Sequence, residues 1–271
     1  MRDSVKGSLM VAVATLGWSL SGMFVRALPR LDSWTINAFR GINMALVLMI
    51  WIFLRYRKNA ITIMRTPDKM AMFWFAFFFV LGTSMYIMAI QLANVAAVAS
   101  LGATSALFAA VIGRLWLGEK TSSIFYIAIL LAIAGVIFIA KGESSQSSTG
   151  LLGSIIALGV ALAFAIQSAA LRKYRDIPME PAYVYGGLTV FLSVFLLHGI
   201  MQPTWQEYGI LLAMGAFQLA IPGVFYLKGA KYVTAVQMVL ISMMDTFLNP
   251  LWVWLLVGEE PTKNTFYGAV F

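Results

Sequence analysis

Two stretches with the same pattern constrain the fold of this chain most. Residues 101–121 read LGATSALFAAVIGRLWLGEKT, and residues 241–262 read ISMMDTFLNPLWVWLLVGEEPT. In both stretches, an apolar run of about membrane-spanning length continues into Gly-Glu, at Gly118-Glu119 and at Gly258-Glu259. The pattern predicts two equivalent transmembrane helices in a duplicated protein, each ending at a charged edge of the membrane.

Composition also predicts an integral membrane protein. Of the 271 residues, 61% are hydrophobic and 11% are charged, far fewer charged residues than a soluble domain carries. The net charge of +8 does not indicate nucleic acid as a partner, because the basic residues lie between apolar runs rather than along a polar face. There is no cysteine and one histidine, His198, so neither disulfides nor a zinc site is expected. We predict no cofactor and no metal.

Apolar windows of about 20 residues predict an all-α polytopic fold with ten transmembrane helices. The predicted helices cover residues 8–25, 34–54, 70–91, 95–117, 123–140, 151–171, 182–200, 208–228 and 235–257, with a tenth beginning at 265. The polar tract 142–149 predicts a linker between a first repeat, 1–141, and a second repeat, 150–271. The segment after 265 is too short to span a bilayer, so we expect the tenth helix to be cut short.

The two halves align residue by residue at two spacings. Gly7 and Arg26 recur 146 positions later, as Gly153 and Arg172. Tyr86 and Gly118 recur 140 positions later, as Tyr226 and Gly258. One deletion in the link between the second and third helices of a repeat explains both spacings.

The distribution of lysine and arginine predicts the orientation. With a cytoplasmic N-terminus, fourteen basic residues lie inside and four lie outside, namely Arg26, Arg30, Lys141 and Lys263. Because five helices per repeat is an odd number, the second repeat is expected to be inverted relative to the first. Transporters with inverted repeats commonly work by alternating access around a site at the middle of the membrane.

The sequence resembles the drug/metabolite transporter superfamily, and within it the EamA-type ten-helix proteins. The resemblance covers nearly the whole chain and rests on the two Gly-Glu pairs, Gly17-Trp18, Phe39-Arg40 and the five-plus-five layout. It implies transport of small metabolites, often amino acids, through a central cavity lined by helices one, three, four, six, eight and nine. Many members carry proline in both the fourth and the ninth helix, whereas this chain has Pro250 in the ninth and Ala109-Ala110 in the fourth.

Two charged residues, Arg40 and Asp245, lie more than one turn inside predicted helices; at the centre of a membrane helix an aspartate costs about 2.5–3.5 kcal/mol on insertion scales. Asp245 lies near the middle of the ninth helix, and the first repeat has Ser105 at the matching position. Asp245 is predicted to couple transport to protons or to bind a substrate ammonium; a structural ion pair is the alternative. Arg40 is predicted to have a structural or gating role. Pro250, like Asp245 and Arg40, is predicted to act in coupling or gating.

Several other polar and aromatic residues are predicted to line a substrate cavity. Each of them alone is more typical of a hydrogen bond between helices, but their concentration favours a cavity. The predicted cavity residues are Trp18, Tyr86, Gln91, Gln167, Gln218, Tyr226, Gln237 and Asn249. Glu119 and Glu259, at helix exits, are interpreted as membrane-edge anchors and gate packing. Small residues at every fourth position on the sixth helix, from Gly153 to Ala169, predict a packing face.

These observations predict a secondary transporter of the inner membrane that exports a small metabolite by alternating access. An amino acid is the first candidate substrate, and the proton is the candidate coupling ion. A carrier of drugs or nucleotide-sugar-like compounds is the alternative within the superfamily. A passive channel is the alternative from another class. A membrane-embedded enzyme is disfavoured, because one histidine, no cysteine and a single deep carboxylate offer little for catalysis.

Overall fold

The computed structural model describes residues 2–65, 68–92, 98, 101–119 and 150–257. The predicted fifth helix and the start of the tenth lie outside these residues. The described residues are helical, with turns and short links between the helices and no strand among them. The predicted all-α membrane fold is therefore confirmed, and the count of ten helices stays a prediction.

Twelve α-helices are numbered here in chain order. They are α1 (Arg2–Trp18), α2 (Ser21–Arg26), α3 (Ser33–Tyr56), α4 (Ala60–Met64), α5 (Lys69–Leu92), α6 (Ser105–Leu117), α7 (Gly150–Lys173), α8 (Glu180–Leu197), α9 (Trp205–Ala213), α10 (Ile221–Gly229), α11 (Ala235–Ser242) and α12 (Asp245–Val257). A 3₁₀ turn, Arg57–Asn59, joins α3 to α4, and a π-helix, Met214–Ala220, joins α9 to α10.

Among the described residues, six helical segments are long and apolar enough to cross a membrane. They are Asp3–Arg26, Ser33–Met64, Lys69–Ala89, Gly150–Lys173, Glu180–Leu197 and Trp205–Gly229. Their positions agree with the first, second, third, sixth, seventh and eighth predicted helices, because the length of an apolar run largely decides where a membrane helix begins and ends.

Four of the predicted helices are interrupted, which the apolar windows did not predict. The first helix is broken by a turn at Ser19-Leu20, the fourth by a turn at Ala103-Thr104 and the ninth by a turn at Met243-Met244. The eighth widens into the π-helix just before Pro222. Proline has no N–H to donate to the carbonyl four residues earlier, so the regular hydrogen-bond ladder cannot continue there.

Polar side chains cap the helices at one end of the molecule. Asp32 accepts a hydrogen bond from the backbone N–H of Thr35 (2.9 Å) at the start of α3. Thr204 and Glu207 form a capping box at the start of α9. Arg30 donates from Nε to Glu207 (3.0 Å), and this hydrogen bond raises the pKa of the Arg30 guanidinium. The link between α2 and α3 is thereby joined to α9.

Close helix crossings depend on glycine. The most extensive helix pairs are α5 with α7 and α3 with α8. Where α3 and α8 cross, a Cβ added at Gly187 would overlap the backbone carbonyl of Gly41. The two backbones are therefore in direct contact, as is typical of helix pairs in membranes that pack through small residues. Below this crossing, large buried side chains such as Met44 and Phe75 fill the core.

Candidate functional site

Three predicted residues from three different helices interact in the interior. Tyr86 on α5 interacts electrostatically with both Asp245 on α12 and Arg40 on α3. The side chain of Tyr86 is nevertheless 41% exposed. Tyr86 is therefore not part of a packed core, and it interacts with an acid and a base that lie on two other helices. Arg40, Tyr86 and Asp245 are called the polar trio below.

The Asp245 carboxylate is incompletely satisfied. Its Oδ1 is buried and has no hydrogen-bond partner among the described residues. Asp245 is the first residue of α12, so the positive end of the helix dipole lies next to its carboxylate. A buried oxygen without a partner costs about 1–3 kcal/mol, more if it is charged. A proton or a cationic group of a ligand would remove that cost.

The Arg40 guanidinium has one hydrogen-bond partner among the described residues. Its Nη2 donates to Asn37 Oδ1 at 2.9 Å, one helical turn earlier on α3. Asn37 is buried, and its own Nδ2 has no partner among the described residues. Sequence reasoning missed Asn37, although its spacing of three residues from a deep arginine was a usable signal. An unsatisfied amide next to an arginine offers further donors to an anionic or carbonyl group.

The backbone turns in the fourth and ninth helices fall at equivalent places in the two repeats. α6 begins at Ser105 and α12 at Asp245, 140 positions later, and each has 13 residues. The turns Ala103-Thr104 and Met243-Met244 precede them. In the first of these turns, Thr104 Oγ1 donates to the carbonyl of Leu101 (2.6 Å) and compensates for the interrupted ladder. Interrupted helices that place a polar residue at a half-helix N-terminus are typical of transporter binding sites.

Trp18 and Tyr226 lie in an aromatic cluster rather than with the polar trio. Their ring centroids are 4.7 Å apart, and Phe164 meets Trp18 edge-on at 6.2 Å. Tyr226 is 1% exposed, and its hydroxyl and Ser168 Oγ share a hydrogen bond of 2.9 Å. In this conformation Tyr226 is part of the packed core, while the half-buried Trp18 lies at its margin, next to the turn at Ser19.

The predicted glutamines have separate environments. Gln218, in the π-helix, is 4% exposed and its Oε1 has no hydrogen-bond partner among the described residues. Gln167 is buried on α7. Gln237 is exposed and forms a capping box with Thr234 at the start of α11, so its amide already has a structural role away from the middle of the membrane. Gln91, Asn249 and Pro250 lie on α5 and α12, and their side chains are outside the described residues.

A second polar arrangement closes one end of the molecule. Arg172, near the end of α7, lies 3.5 Å from Glu119, just after α6. Its Nη1 also donates to the carbonyls of Ala230 and Lys231, both at 3.0 Å, just after α10. One side chain thus joins the ends of three transmembrane segments. This set of contacts is called the Arg172 clasp; sequence reasoning identified Glu119 as gate packing but missed Arg172.

The sequence of this chain matches the profile of a known transporter family. The profile of the EamA-like transporter family matches residues 5–141 and 151–271. The chain belongs to the EamA-like transporter family. The resemblance stated from the sequence is thereby confirmed, and the chain is a multi-pass membrane protein of a family that transports small molecules.

Curated relatives are distant in sequence. This EamA-like transporter is 25% identical to the pseudopaline exporter CntI of Pseudomonas aeruginosa over 61% of the chain and 59% of the exporter. It is 27% identical to the transporter YdfC of Bacillus subtilis over 65% of the chain and 59% of YdfC. YojE of Bacillus subtilis is 26% identical over 97% of the chain and 89% of YojE. The chain therefore spans about three fifths of the length of the first two relatives.

A solved crystal structure has the same fold. It superposes with a TM-score of 0.74 and covers 97% of this EamA-like transporter and 92% of its own chain, with 15% sequence identity. At that identity the similarity applies to the fold alone.

Proposed function

We propose that this EamA-like transporter exports a small polar metabolite, with an amino acid as the first candidate, across the inner membrane by alternating access. The observation that carries the proposal is the polar trio beside the turn in the ninth helix. Asp245 offers an unsatisfied carboxylate oxygen, Arg40 a guanidinium, and Tyr86 an accessible side chain that interacts with both. Groups of opposite charge around one tyrosine suit a substrate with an ammonium and a carboxylate.

Alternating access is supported by the repeats. The N-terminus is cytoplasmic and the second repeat is inverted in this proposal, as the distribution of lysine and arginine predicts. The Arg172 clasp then lies at the cytoplasmic side and the Arg30–Glu207 pair at the other side. Export as the direction is supported by the pseudopaline exporter among the relatives. Catalysis has no place in the proposal, because the polar trio lacks an activated nucleophile.

In this proposal, Asp245 couples substrate transport to proton movement. A carboxylate that is protonated in one conformation and binds substrate in the other links proton and substrate movement. Replacing Asp245 by Asn keeps the shape and removes the charge. We therefore expect Asp245→Asn to abolish transport driven by a pH gradient while exchange of substrate across the membrane continues.

The test is counterflow of a labelled amino-acid mixture into proteoliposomes that contain the purified protein, with and without a pH gradient. Saturable counterflow supports a carrier, whereas non-saturable flux supports a passive channel and overturns the proposal. Asp176→Asn is the matched control, because Asp176 is an exposed carboxylate outside the membrane segments. Gradient-driven transport that survives in Asp245→Asn as well as in the control contradicts the coupling role. If nucleotide sugars or drugs show counterflow and amino acids do not, the substrate belongs to one of those classes instead of the amino acids.

A further inference from the structure

A cavity of about 210 Å³ lies at the end of the molecule that carries the Arg172 clasp. It is formed by the end of α3, the link between α7 and α8, and the residues after α10. Its lining includes four basic residues and two aromatic ones: Arg55, Arg175, Lys228, Lys231, Trp51 and Tyr56. This cavity is called the basic pocket. Its volume is several times the roughly 30 Å³ that a water molecule occupies, so it has room for a phosphate group.

The basic residues of the basic pocket outnumber the acidic residues that could pair with them. Two acids also line it, but Glu180 accepts a hydrogen bond from Tyr56 (3.3 Å) and Asp176 lies 3.7 Å from the neighbouring Arg175. Among the described residues, neither Arg55 nor Lys231 has an ion-pair partner. Two basic side chains, one from α3 and one from the turn after α10, thus face one cavity, and no anion among the described residues pairs with them.

The surroundings of the basic pocket suit a lipid rather than a soluble anion. Trp51 is at the end of α3 with Lys228 Nζ 5.4 Å from its ring centroid, an arrangement typical of membrane interfaces. On the adjoining face of α3, Ile50 and Leu54 are 60% and 71% exposed. Acyl chains can lie along this apolar face while the headgroup reaches the basic residues. Basic pockets of this kind between transmembrane helices bind anionic headgroups.

We propose that the basic pocket binds the phosphate headgroup of an anionic phospholipid. The bound lipid joins α3, the α7–α8 link and the end of α10 through one phosphate. This role is independent of the polar trio, which lies on other parts of α3, α5 and α12. It therefore does not depend on which substrate is transported.

The test compares thermal unfolding of the full chain in a neutral detergent with added phosphatidylglycerol, phosphatidylcholine or inorganic phosphate. We expect phosphatidylglycerol to raise the unfolding temperature and the other two to have little effect. In Arg55→Gln/Lys231→Gln we expect phosphatidylglycerol to bind about thirtyfold more weakly, since each basic residue near a lipid phosphate contributes about fivefold. Lys58→Gln/Arg65→Gln is the matched control, because these exposed residues follow α3 but do not line the pocket.

Three outcomes overturn the proposal. Equal stabilisation by phosphatidylcholine shows that the lipid charge is not recognised, and equal stabilisation by inorganic phosphate shows a site for a free anion. An unchanged effect of phosphatidylglycerol on the Arg55/Lys231 variant shows that the pocket is not the site. If that variant does not fold, the amount of bound phosphatidylglycerol is compared by native mass spectrometry between the wild type and Lys231→Gln. One tightly bound phosphatidylglycerol is expected on the wild type and a smaller bound fraction on the variant.

Discussion

Tyr86 and Tyr226 occupy equivalent positions in the two repeats but have different environments. Tyr226 packs against Trp18 and is hydrogen-bonded to Ser168, whereas Tyr86 is accessible and interacts electrostatically with Arg40 and Asp245. Duplication therefore preserved the residue type while packing changed its role. One copy stabilises the core, and the other remains available for a ligand.

This difference predicts opposite effects of removing the two hydroxyl groups. Tyr226→Phe loses one buried hydrogen bond, so we expect the free energy of unfolding to fall by about 1 kcal/mol with transport retained. Tyr86→Phe is expected to leave stability unchanged and to slow transport about fivefold, because a contact of similar strength to the substrate is lost. Denaturation in detergent and counterflow measure the two effects. Equal behaviour of the two variants in both assays contradicts the distinction.

Which single residues matter was only partly predictable from the sequence. Asp245 and Arg40 were identified because a charge inside a membrane helix is costly wherever it points. The burial of Tyr226 was not predictable, since it depends on Trp18 and Ser168, which come from other helices. The capping role of Gln237 was missed although it had a local signal, a threonine three residues before it and directly ahead of the predicted helix start at 235.

At the scale of single helices, α7 shows how small residues set helix distance. Ala157, Ala161 and Ala165 are each at most 2% exposed, and α7 packs against both α5 and α6. Neighbouring α7 positions such as Leu162 are much more exposed. The repeated small residues therefore form one packing stripe, as their spacing of four residues predicts.

Overpacking this stripe is expected to separate the helices. Ala161→Phe is expected to lower the free energy of unfolding by about 1–3 kcal/mol, since a large ring has no space at a closed helix contact. Leu162→Phe, one position along the same helix and 39% exposed, serves as the control and should change stability by less than about 0.5 kcal/mol. Purification yield and thermal unfolding report the effect. Equal stability of the two variants contradicts the packing role.

Helix positions were predictable, whereas helix interruptions were not. The predicted second helix, 34–54, differs from α3 by one residue at the start and two at the end, because the membrane sets the length of an apolar run. The turns at Ala103-Thr104 and Met243-Met244 contain neither glycine nor proline. Beside the first turn the Thr104 hydroxyl donates to the carbonyl of Leu101, and beside the second the Ser242 hydroxyl donates to the carbonyl of Met238. Such local side-chain hydrogen bonds leave no periodic signal in the sequence.

At the scale of the whole molecule, the Arg172 clasp joins three helix ends in this conformation. Arg172 holds the ends of α6, α7 and α10 together through Glu119 and two backbone carbonyls. In the alternating-access cycle that we propose, these segments separate when the polar trio becomes accessible from that end. In that cycle, the clasp contributes to the free-energy difference between the two conformations.

Because this chain contains no cysteine, the accessibility of a single introduced thiol can measure that difference. In a Tyr86→Cys background, Arg172→Gln is expected to raise the rate of maleimide labelling from the Arg172 side about tenfold, since losing roughly 1.5 kcal/mol of charge-assisted contacts shifts the equilibrium by that factor. Lys58→Gln is the control: it removes an exposed positive charge at the same end, in the 3₁₀ turn after α3, and Lys58 is not among the contacts of Arg172. If both variants label alike, positive charge at that end rather than the clasp sets the equilibrium. If neither differs from the parent, the ends of α6, α7 and α10 separate without breaking these contacts, and the gate lies elsewhere in the molecule.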